Sequence, residues 1–346
     1  MPELLASHTT LRLGGPARSW VRGRTEDELV AAVREADEQQ DPVLLVAGGS
    51  NLVVADEGFD GKVVEIATSG VVADVEEDAG PMCGGALVTV SAGEDWDAFV
   101  ERAVASGWVG VEALSGIPGS VGATPIQNVG AYGQEVAQTI ARVRVWDRVL
   151  KGVRTFAGVD CVFGYRTSRF KKDPGRHVVL DVTFQLRPGS LGEPVAYAEL
   201  ARTLGVEPGT RAPLAEVREA VLGLRRGKGM VLDAADHDTW SAGSFFTNPV
   251  LPADQPLPDG APRWEQPGAQ GRVKTSAAWL IEHSGFHKGY GNDRVSLSTK
   301  HTLALTNRGS ATTSDLLDLA REVRDGVEAR TGVRLVNEPV LVGVEL

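Results

Sequence analysis

The sequence predicts an α+β fold. Three observations lead there: strand-like and helix-like segments are mixed along the chain, glycine turns punctuate them, and the clean β-α-β alternation of a doubly wound parallel sheet is missing. Thr25-Glu26-Asp27-Glu28 has capping-box spacing and opens a short amphipathic helix, LVAAVREA. PVLLVAGGSNLVVAD then reads as strand, turn and strand, with Gly48 and Gly49 at the corner and backbone N–H groups facing outward. A second helix is predicted at EDWDAFVERAVAS, where Trp96, Phe99, Val100 and Val104 share one face and Gly107 stops it. ARVRVWDRV and HVVLDVTFQL read as alternating strands, and residues 194–224 turn helical, most clearly at AEVREAVLGL. VLPADQPLPDGAPRW carries too much proline for regular structure and reads as a surface excursion. KTSAAWLIEHSG resumes the pattern, and SDLLDLAREVRDGVEARTG is a third helix, from Ser314 to its stop at Gly332. VRLVNEPVLVGVEL closes the chain as a strand pair interrupted at Pro339.

The 346 residues suffice for two or three domains. A net charge of −11 argues against a surface that neutralises phosphate backbones, so no nucleic-acid partner is expected. No run approaches 18 apolar residues, so no membrane span is expected, and MPELLASHTTLRLGG has no secretory pattern. Cys83 and Cys161 lie far apart in no paired-ligand spacing, which fits a reducing cytoplasm. Oligomeric state leaves no mark on the sequence, and a monomer is the default.

SGIPGSVGATPIQNVGAYGQE, Ser115 to Glu135, is the least ordinary stretch: five glycines, two prolines and one charge in 21 residues. Neither G-x-G-x-x-G after a strand nor G-x-x-x-x-G-K-[ST] occurs in the chain, which disfavours Rossmann and P-loop chemistry. Gly116-x-x-Gly119-x-x-Gly122 and Gly48-Gly49-Ser50-Asn51 are both able to form nests of N–H groups around an anion such as pyrophosphate. Either alone is as well explained as a tight turn. His283 and His287 are spaced i, i+4, but Gly285 intervenes and no third ligand is near, so no metal is expected. Cys161 reads as a small core residue.

Phe163-Gly164-Tyr165-Arg166 sets a phenol beside a guanidinium suited to a carboxylate or oxyanion, or to a surface ion pair. Gly243-Ser244-Phe245-Phe246-x-Asn248 sets a hydroxyl against two rings able to exclude water, or forms a turn into a buried strand. Glu338 is a carboxylate in an apolar run; alone it reads as an edge residue facing solvent.

Together these pieces resemble one family, the UDP-N-acetylenolpyruvoylglucosamine reductases, in order and along almost the whole chain. The matching blocks are Thr9-Thr10-Leu11-Arg12-Leu13-Gly14-Gly15, Gly48-Gly49-Ser50-Asn51, IPGSVGATPIQNVGAYGQE, FGYRTSRFK, Arg225-x-x-Lys228, AGSFFTNP, AAWLIE, STKHTLALTN and Glu338-Pro339-Val340. The resemblance implies a two-part FAD-binding module of the vanillyl-alcohol-oxidase/PCMH type plus a separate α+β substrate domain. Its boundaries would be 1–75 and 76–221 for the two FAD subdomains and 222–330 for the substrate domain, with 331–346 returning to the second FAD subdomain. FAD would lie along Gly48, Gly49, Ser50 and Asn51, and along Ser115, Gly116, Ile117, Pro118, Gly119, Ser120, Gly122 and Ala123.

The reaction implied is NADPH-dependent reduction of UDP-N-acetylglucosamine enolpyruvate to UDP-N-acetylmuramate, with hydride delivered from flavin N5. Arg166 and Glu338 would stabilise charge on the substrate carboxylate, and Ser244 would deliver the proton. Lys228 and Tyr197 would hold the diphosphate, Asn248 and Tyr165 other parts of the substrate, with Lys274 and Lys300 as further candidates. Tyr197, in PVAYAEL, marks the longer subclass of the family. Thr9 stands where the family more often has asparagine, residues 233–240 form a small acidic insertion, and the proline-rich segment 249–268 is expanded. Two alternatives remain at this stage: another flavin oxidase or dehydrogenase on the same scaffold, and a non-catalytic sugar-nucleotide sensor.

Overall fold

The computed structural model describes residues 2–75, 85–265 and 270–346. They fall into two compact units: a larger one of residues 17–48 and 60–227, and a smaller one of residues 1–16, 49–59 and 228–346. Cys83 and residues 266–269 of the proline-rich segment lie outside the described residues.

The larger unit is built on an antiparallel sheet ordered Gly152–Ala157, Ile140–Asp147, His177–Pro188, Ala86–Ser91, Val71–Val75, with Trp108–Val109 pairing with the last two residues of the long strand. The sequence predicts alternation along His177–Pro188, yet every residue from Val178 to Phe184 is buried. The reason is a layer on each face, with a shift in register between Arg144↔Asp181 and Val145↔Val179 that turns Val178 and Leu180 away from the face of Val182 and Phe184. Val178 and Leu180 pack with Leu29 and Val33 of α1 (Glu26–Glu38). Val182 and Phe184 pack with Trp96, Phe99 and Val100 of α2 (Trp96–Ala105), and the Phe99 ring stacks on Phe184 at 5.0 Å. Both helices start where capping chemistry places them. Thr25 Oγ1 accepts the Glu28 N–H at 3.2 Å and Asp95 accepts that of Ala98 at 2.8 Å, while the Glu28 carboxylate takes the N–H of Arg24 rather than that of Thr25.

A single turn, α3 (Arg169–Lys172), precedes the long strand. After it come α4 (Ala198–Leu204) and α5 (Leu214–Gly227). Gly223 sits inside α5 with nothing within 4 Å of where a Cβ would stand. Gly223→Ala is therefore expected to stabilise the protein by about 0.5–1 kcal/mol through helix propensity, visible as a raised urea midpoint.

Asp147 ends its strand with both oxygens engaged. Its carboxylate accepts from Arg176 Nε at 3.1 Å and Nη2 at 2.9 Å and from the N–H groups of Val149 and Leu150 at 3.0 Å. The Arg176 hydrogen bonds hold its pKa down at about 2. Because the folded value lies below the unfolded one, the stabilisation is complete above about pH 4 and is lost as pH falls through about 2. Arg176 is about one-third exposed, so we expect Asp147→Asn to cost roughly 1–2 kcal/mol at pH 7. The difference between variant and wild-type urea midpoints should shrink steadily from pH 4 towards pH 2.

The smaller unit packs α6 (Ala277–His283) and α7 (Thr313–Thr331) around a core that includes Leu11, Val53, Phe245, Phe246, Leu280, Leu305 and Leu316. The cap of α7 is Thr312 rather than Ser314, since Thr312 and Asp315 form a reciprocal capping box. Gly332 ends the helix at φ +70°.

Three sequence expectations meet a different outcome. The two strands around Gly48 and Gly49 do not pair with each other. Val43–Val46 runs parallel to Lys62–Glu65 in the larger unit, while Leu52–Val54 pairs in parallel with Val340–Val342 in the smaller. That second pairing also places the C-terminal strand on Leu52–Val54, not on a strand of residues 76–221; Val53 and Leu341 pack into the same core. The proline-rich segment does contain regular structure: Val250–Pro252 and Trp264–Glu265 flank Arg272–Lys274 in a three-stranded sheet. Pro252 is accommodated because its strand lies at the sheet edge.

Candidate active site

The two glycine loops touch in the larger unit. A Cβ on Gly48 would stand 2.6 Å from the Cα of Gly119, and one on Gly122 would stand 2.5 Å from the Cβ of Ala92. Gly119 has φ +125°, a conformation open to glycine alone. The loop is held from behind: the Gly116 N–H donates to Asp97 Oδ1 at 2.6 Å, and Arg218 grips the same carboxylate at 2.6 and 3.0 Å. Buried Ser115 donates its hydroxyl to the Glu112 carbonyl at 2.7 Å. What the loop leaves open is its front. Among the described residues nothing accepts the N–H groups of Gly48, Ile117, Gly119 or Ser120, and the buried Ser120 hydroxyl has no partner. In the smaller unit the N–H groups of Gly49 and Ser50 are equally uncommitted, while the Asn51 carbonyl is taken by Val340. Pro118 has no N–H to offer, and that of Ala123 turns inward to Ser120.

The same glycine-rich stretch fixes Arg166. Its backbone is left-handed at φ +51°, and its guanidinium donates to the carbonyls of Gly130 at 2.8 Å and Asn128 at 3.3 Å. Asn128, itself at φ +48°, donates to the Gly164 carbonyl at 3.1 Å, so the loop and the FGYR turn brace each other. Strained residues gathered in this way are characteristic of functional sites. Arg166 also lies over the Tyr165 ring, 5.6 Å from its centroid. Tyr197 is 47% exposed at the N-cap of α4, edge-on to Tyr132 at 5.5 Å.

In the smaller unit the backbone around Glu338 lies against the segment that follows Ser244. The Thr247 N–H donates to Val336 at 3.0 Å and the Glu338 N–H to Phe245 at 2.8 Å, around an antiparallel bridge between Phe246 and Asn337. Glu338 therefore stands opposite Phe245, one residue from Ser244, and is half-buried rather than a solvent-facing edge residue. The half-buried Ser244 hydroxyl forms no hydrogen bond among the described residues, while Phe245 and Phe246 beside it are each 1% exposed.

Asn248 accepts the N–H of Ala277 at 2.9 Å at the start of α6, and Lys274 ends the central strand of the three-stranded sheet. Lys228 is half-buried at the point where the smaller unit resumes. Lys300 is engaged by the acidic insertion: Asp236 accepts from its Nζ at 2.5 Å and raises its pKa. Asp238 of the same insertion accepts from the Thr299 N–H at 2.9 Å and from Arg308 at 3.0 Å. The insertion is thus an ordered buttress for residues 299–308. His283 stacks on Trp279 at 3.6 Å, and among the described residues no group of three His, Cys, Asp or Glu is arranged to hold a metal. The Cys161 thiol is buried in the core, and desolvation pushes its pKa up to about 12.

Two supporting carboxylates, Asp97 and Glu112, escape the sequence reading. Asp97 resembles any helix-surface acid. Glu112, in the apolar run Val111–Leu114, carries the same signal as Glu338.

Family models agree with this layout. Residues 17–151 match an FAD binding domain, and residues 235–342 match the C-terminal domain of UDP-N-acetylenolpyruvoylglucosamine reductase. The chain is 58% identical to the UDP-N-acetylenolpyruvoylglucosamine reductase of Cutibacterium acnes over 98% of this chain and 89% of that protein. It is 56% identical to the Thermobifida fusca reductase over 99% and 97%. In three dimensions it superimposes on the crystal structure of UDP-N-acetylenolpyruvylglucosamine reductase from Thermus caldophilus with a TM-score of 0.65 and 25% identity, covering 99% of this chain and 98% of that one. Uncommitted glycine-loop donors, a braced arginine and a serine–glutamate neighbourhood thus occur in a chain that belongs to the UDP-N-acetylenolpyruvoylglucosamine reductase family.

Proposed function

We propose that this chain is an FAD-dependent oxidoreductase that uses NADPH to reduce UDP-N-acetylglucosamine enolpyruvate to UDP-N-acetylmuramate for peptidoglycan synthesis, acting in the cytoplasm. One observation carries the reading: backbone pairing sets Glu338 opposite Phe245, next to a half-buried Ser244 hydroxyl that forms no hydrogen bond among the described residues. Residues 1–75 and 76–221 would serve the flavin and 222–330 the substrate.

The residues present fit FAD. The contact between Gly48 and Gly119 leaves main chain, not side chain, at the loop surface, and the unused N–H groups of both loops suit a pyrophosphate. Bound along these loops, FAD would supply hydride transfer from NADPH to the substrate's methylene carbon. Negative charge would develop on the adjacent carbon and spread into the substrate carboxylate. Arg166, fixed in advance by two backbone carbonyls, would stabilise that charge without reorganising, with Glu338 as its partner residue in the reaction. Ser244 would donate its proton to the carbon, completing addition of hydrogen across the double bond. Tyr197 and Lys228 would hold the diphosphate, and Tyr165 and Asn248 the remainder. Lys274 is a further candidate contact, as is Lys300, which would exchange Asp236 for a substrate oxygen.

Anaerobic mixing tests the assignment. NADPH should bleach the flavin, and colour should return only when UDP-N-acetylglucosamine enolpyruvate is added. Recovery with other acceptors alone, or protein that never binds flavin, would overturn it.

A further inference from the structure

Glu112 is a fully buried carboxylate with no part in the chemistry above. Its oxygens accept three hydrogen bonds: Oε2 from the Gly110 N–H at 2.7 Å, and Oε1 from Gln134 Nε2 at 2.8 Å and the Glu193 N–H at 2.6 Å. Gln134 in turn accepts the Ala113 N–H at 2.8 Å, so its amide orientation is set. A Cβ on Gly192 would stand 2.8 Å from Glu112 Oε1, which shows how closely the neighbouring loop is drawn onto the carboxylate.

That loop is the base of an excursion closed on itself. Gly192 N–H donates to Ala212 at 2.8 Å, Val195 to Thr210 at 2.9 Å and Leu214 to Ser190 at 3.0 Å. The excursion carries α4 and, at its N-cap, Tyr197. Several contacts attach it to the rest of the larger unit. One is the apolar cluster in which Val195, Leu200 and Ala201 meet Ala113 and Val217 and Val221 of α5. Another is the Glu193–Arg187 ion pair, too exposed to hold much. A groove of about 380 Å³ lined by Tyr132, Gln134, Glu193, Ala196 and Leu200 runs along the contact, so apolar packing there is incomplete. The charge-assisted contacts at Glu112 add a fully buried polar link at its base.

We propose that Glu112 is a positioning residue for substrate binding: it fixes the base of the excursion and thereby the place of Tyr197. The inference rests on Tyr197 contacting the sugar nucleotide. Glu112→Gln keeps the shape but removes the charge and turns one acceptor into a donor, facing N–H groups that have no other partner.

Two measurements on the holoenzyme separate the anchor from the substrate role. First, amide hydrogen exchange without substrate: Glu112→Gln should accelerate exchange over residues 193–206 about tenfold or more, the loss of one charge-assisted hydrogen bond, while the central sheet is unmoved. Second, steady-state kinetics: KM for UDP-N-acetylglucosamine enolpyruvate should rise about tenfold or more while flavin content and flavin reduction by NADPH stay unchanged. In a Tyr197→Ala background the same substitution should shift KM less than about twofold, because its effect runs through that side chain. Unchanged exchange overturns the anchor. Faster exchange with a full KM effect in the Tyr197→Ala background overturns the route through Tyr197. Faster exchange with KM unmoved by Tyr197→Ala itself overturns the substrate role of Tyr197 and the inference with it. Gly192→Ala, which wedges a methyl group against the carboxylate, should give the same pattern and serves if Glu112→Gln does not fold.

Discussion

Ser244→Ala is expected to leave flavin reduction by NADPH within about twofold of wild type while slowing flavin reoxidation by the enolpyruvyl substrate by about 10²- to 10⁴-fold, the span of a lost general acid. The asymmetry follows from what the hydroxyl does in the two half-reactions. Reduction by NADPH transfers hydride alone and asks nothing of Ser244. In the proposed mechanism reoxidation would leave a carbanion-like centre next to the substrate carboxylate, and Ser244 would protonate it. The Ser244 hydroxyl forms no hydrogen bond among the described residues, so its removal orphans no partner and should cost little stability. Ser244→Cys, which restores an acidic hydrogen, should recover part of the lost rate. Stopped-flow absorbance of each half-reaction decides the matter: equal slowing of both would mean that Ser244 serves the flavin or the fold rather than the proton.

Helices were the most legible part of the fold because their signals are local. Thr25 and Asp95 cap the helices they precede, and Gly107 and Gly332 lie where glycine stops a helix. Strand partners were not legible in the same way. The apolar runs on either side of Gly48 and Gly49 read as strand, turn and strand, but which strand each one pairs with is decided by long-range packing, and each run joins a different sheet. Strand alternation failed at His177–Pro188 because alternation signals one wet face, and here helices cover both. At the site, Arg166 and Ser244 stood out as reactive groups next to glycine turns, and both lie in ordered, specific surroundings. Asp97 and Glu112 were illegible for a different reason: they bind backbone N–H groups, and backbone donors have no sequence signature. The acidic insertion could be seen but not interpreted, since only the fold brings Asp236 to Lys300 and Asp238 to Arg308.

Gly48→Ala is expected to yield a folded protein that fails to keep FAD, with Kd raised about 10²- to 10⁴-fold, the equivalent of two charge-assisted hydrogen bonds. Gly48 does not have a left-handed backbone, so alanine suits its conformation and strain is not the cause. Contact is. The new methyl group would lie 2.6 Å from Gly119 Cα and 3.0 Å from its carbonyl carbon, against a normal separation of about 3.5–4 Å. The two loops must part by roughly 1 Å, and the N–H groups proposed to hold the pyrophosphate would then lose distance and angle together. Gly223→Ala is the matched control, because its methyl group meets nothing within 4 Å. Flavin absorbance per polypeptide and a fluorescence titration of the apoprotein read affinity, while circular dichroism shows whether the fold survives. Stoichiometric flavin in Gly48→Ala would mean that the loops can separate without cost, and hence that their uncommitted N–H groups are not what holds the cofactor. Loss of flavin from a protein that melts near wild type would locate the effect at the meeting of these two glycines, where a single methyl group decides whether main chain can reach the phosphates.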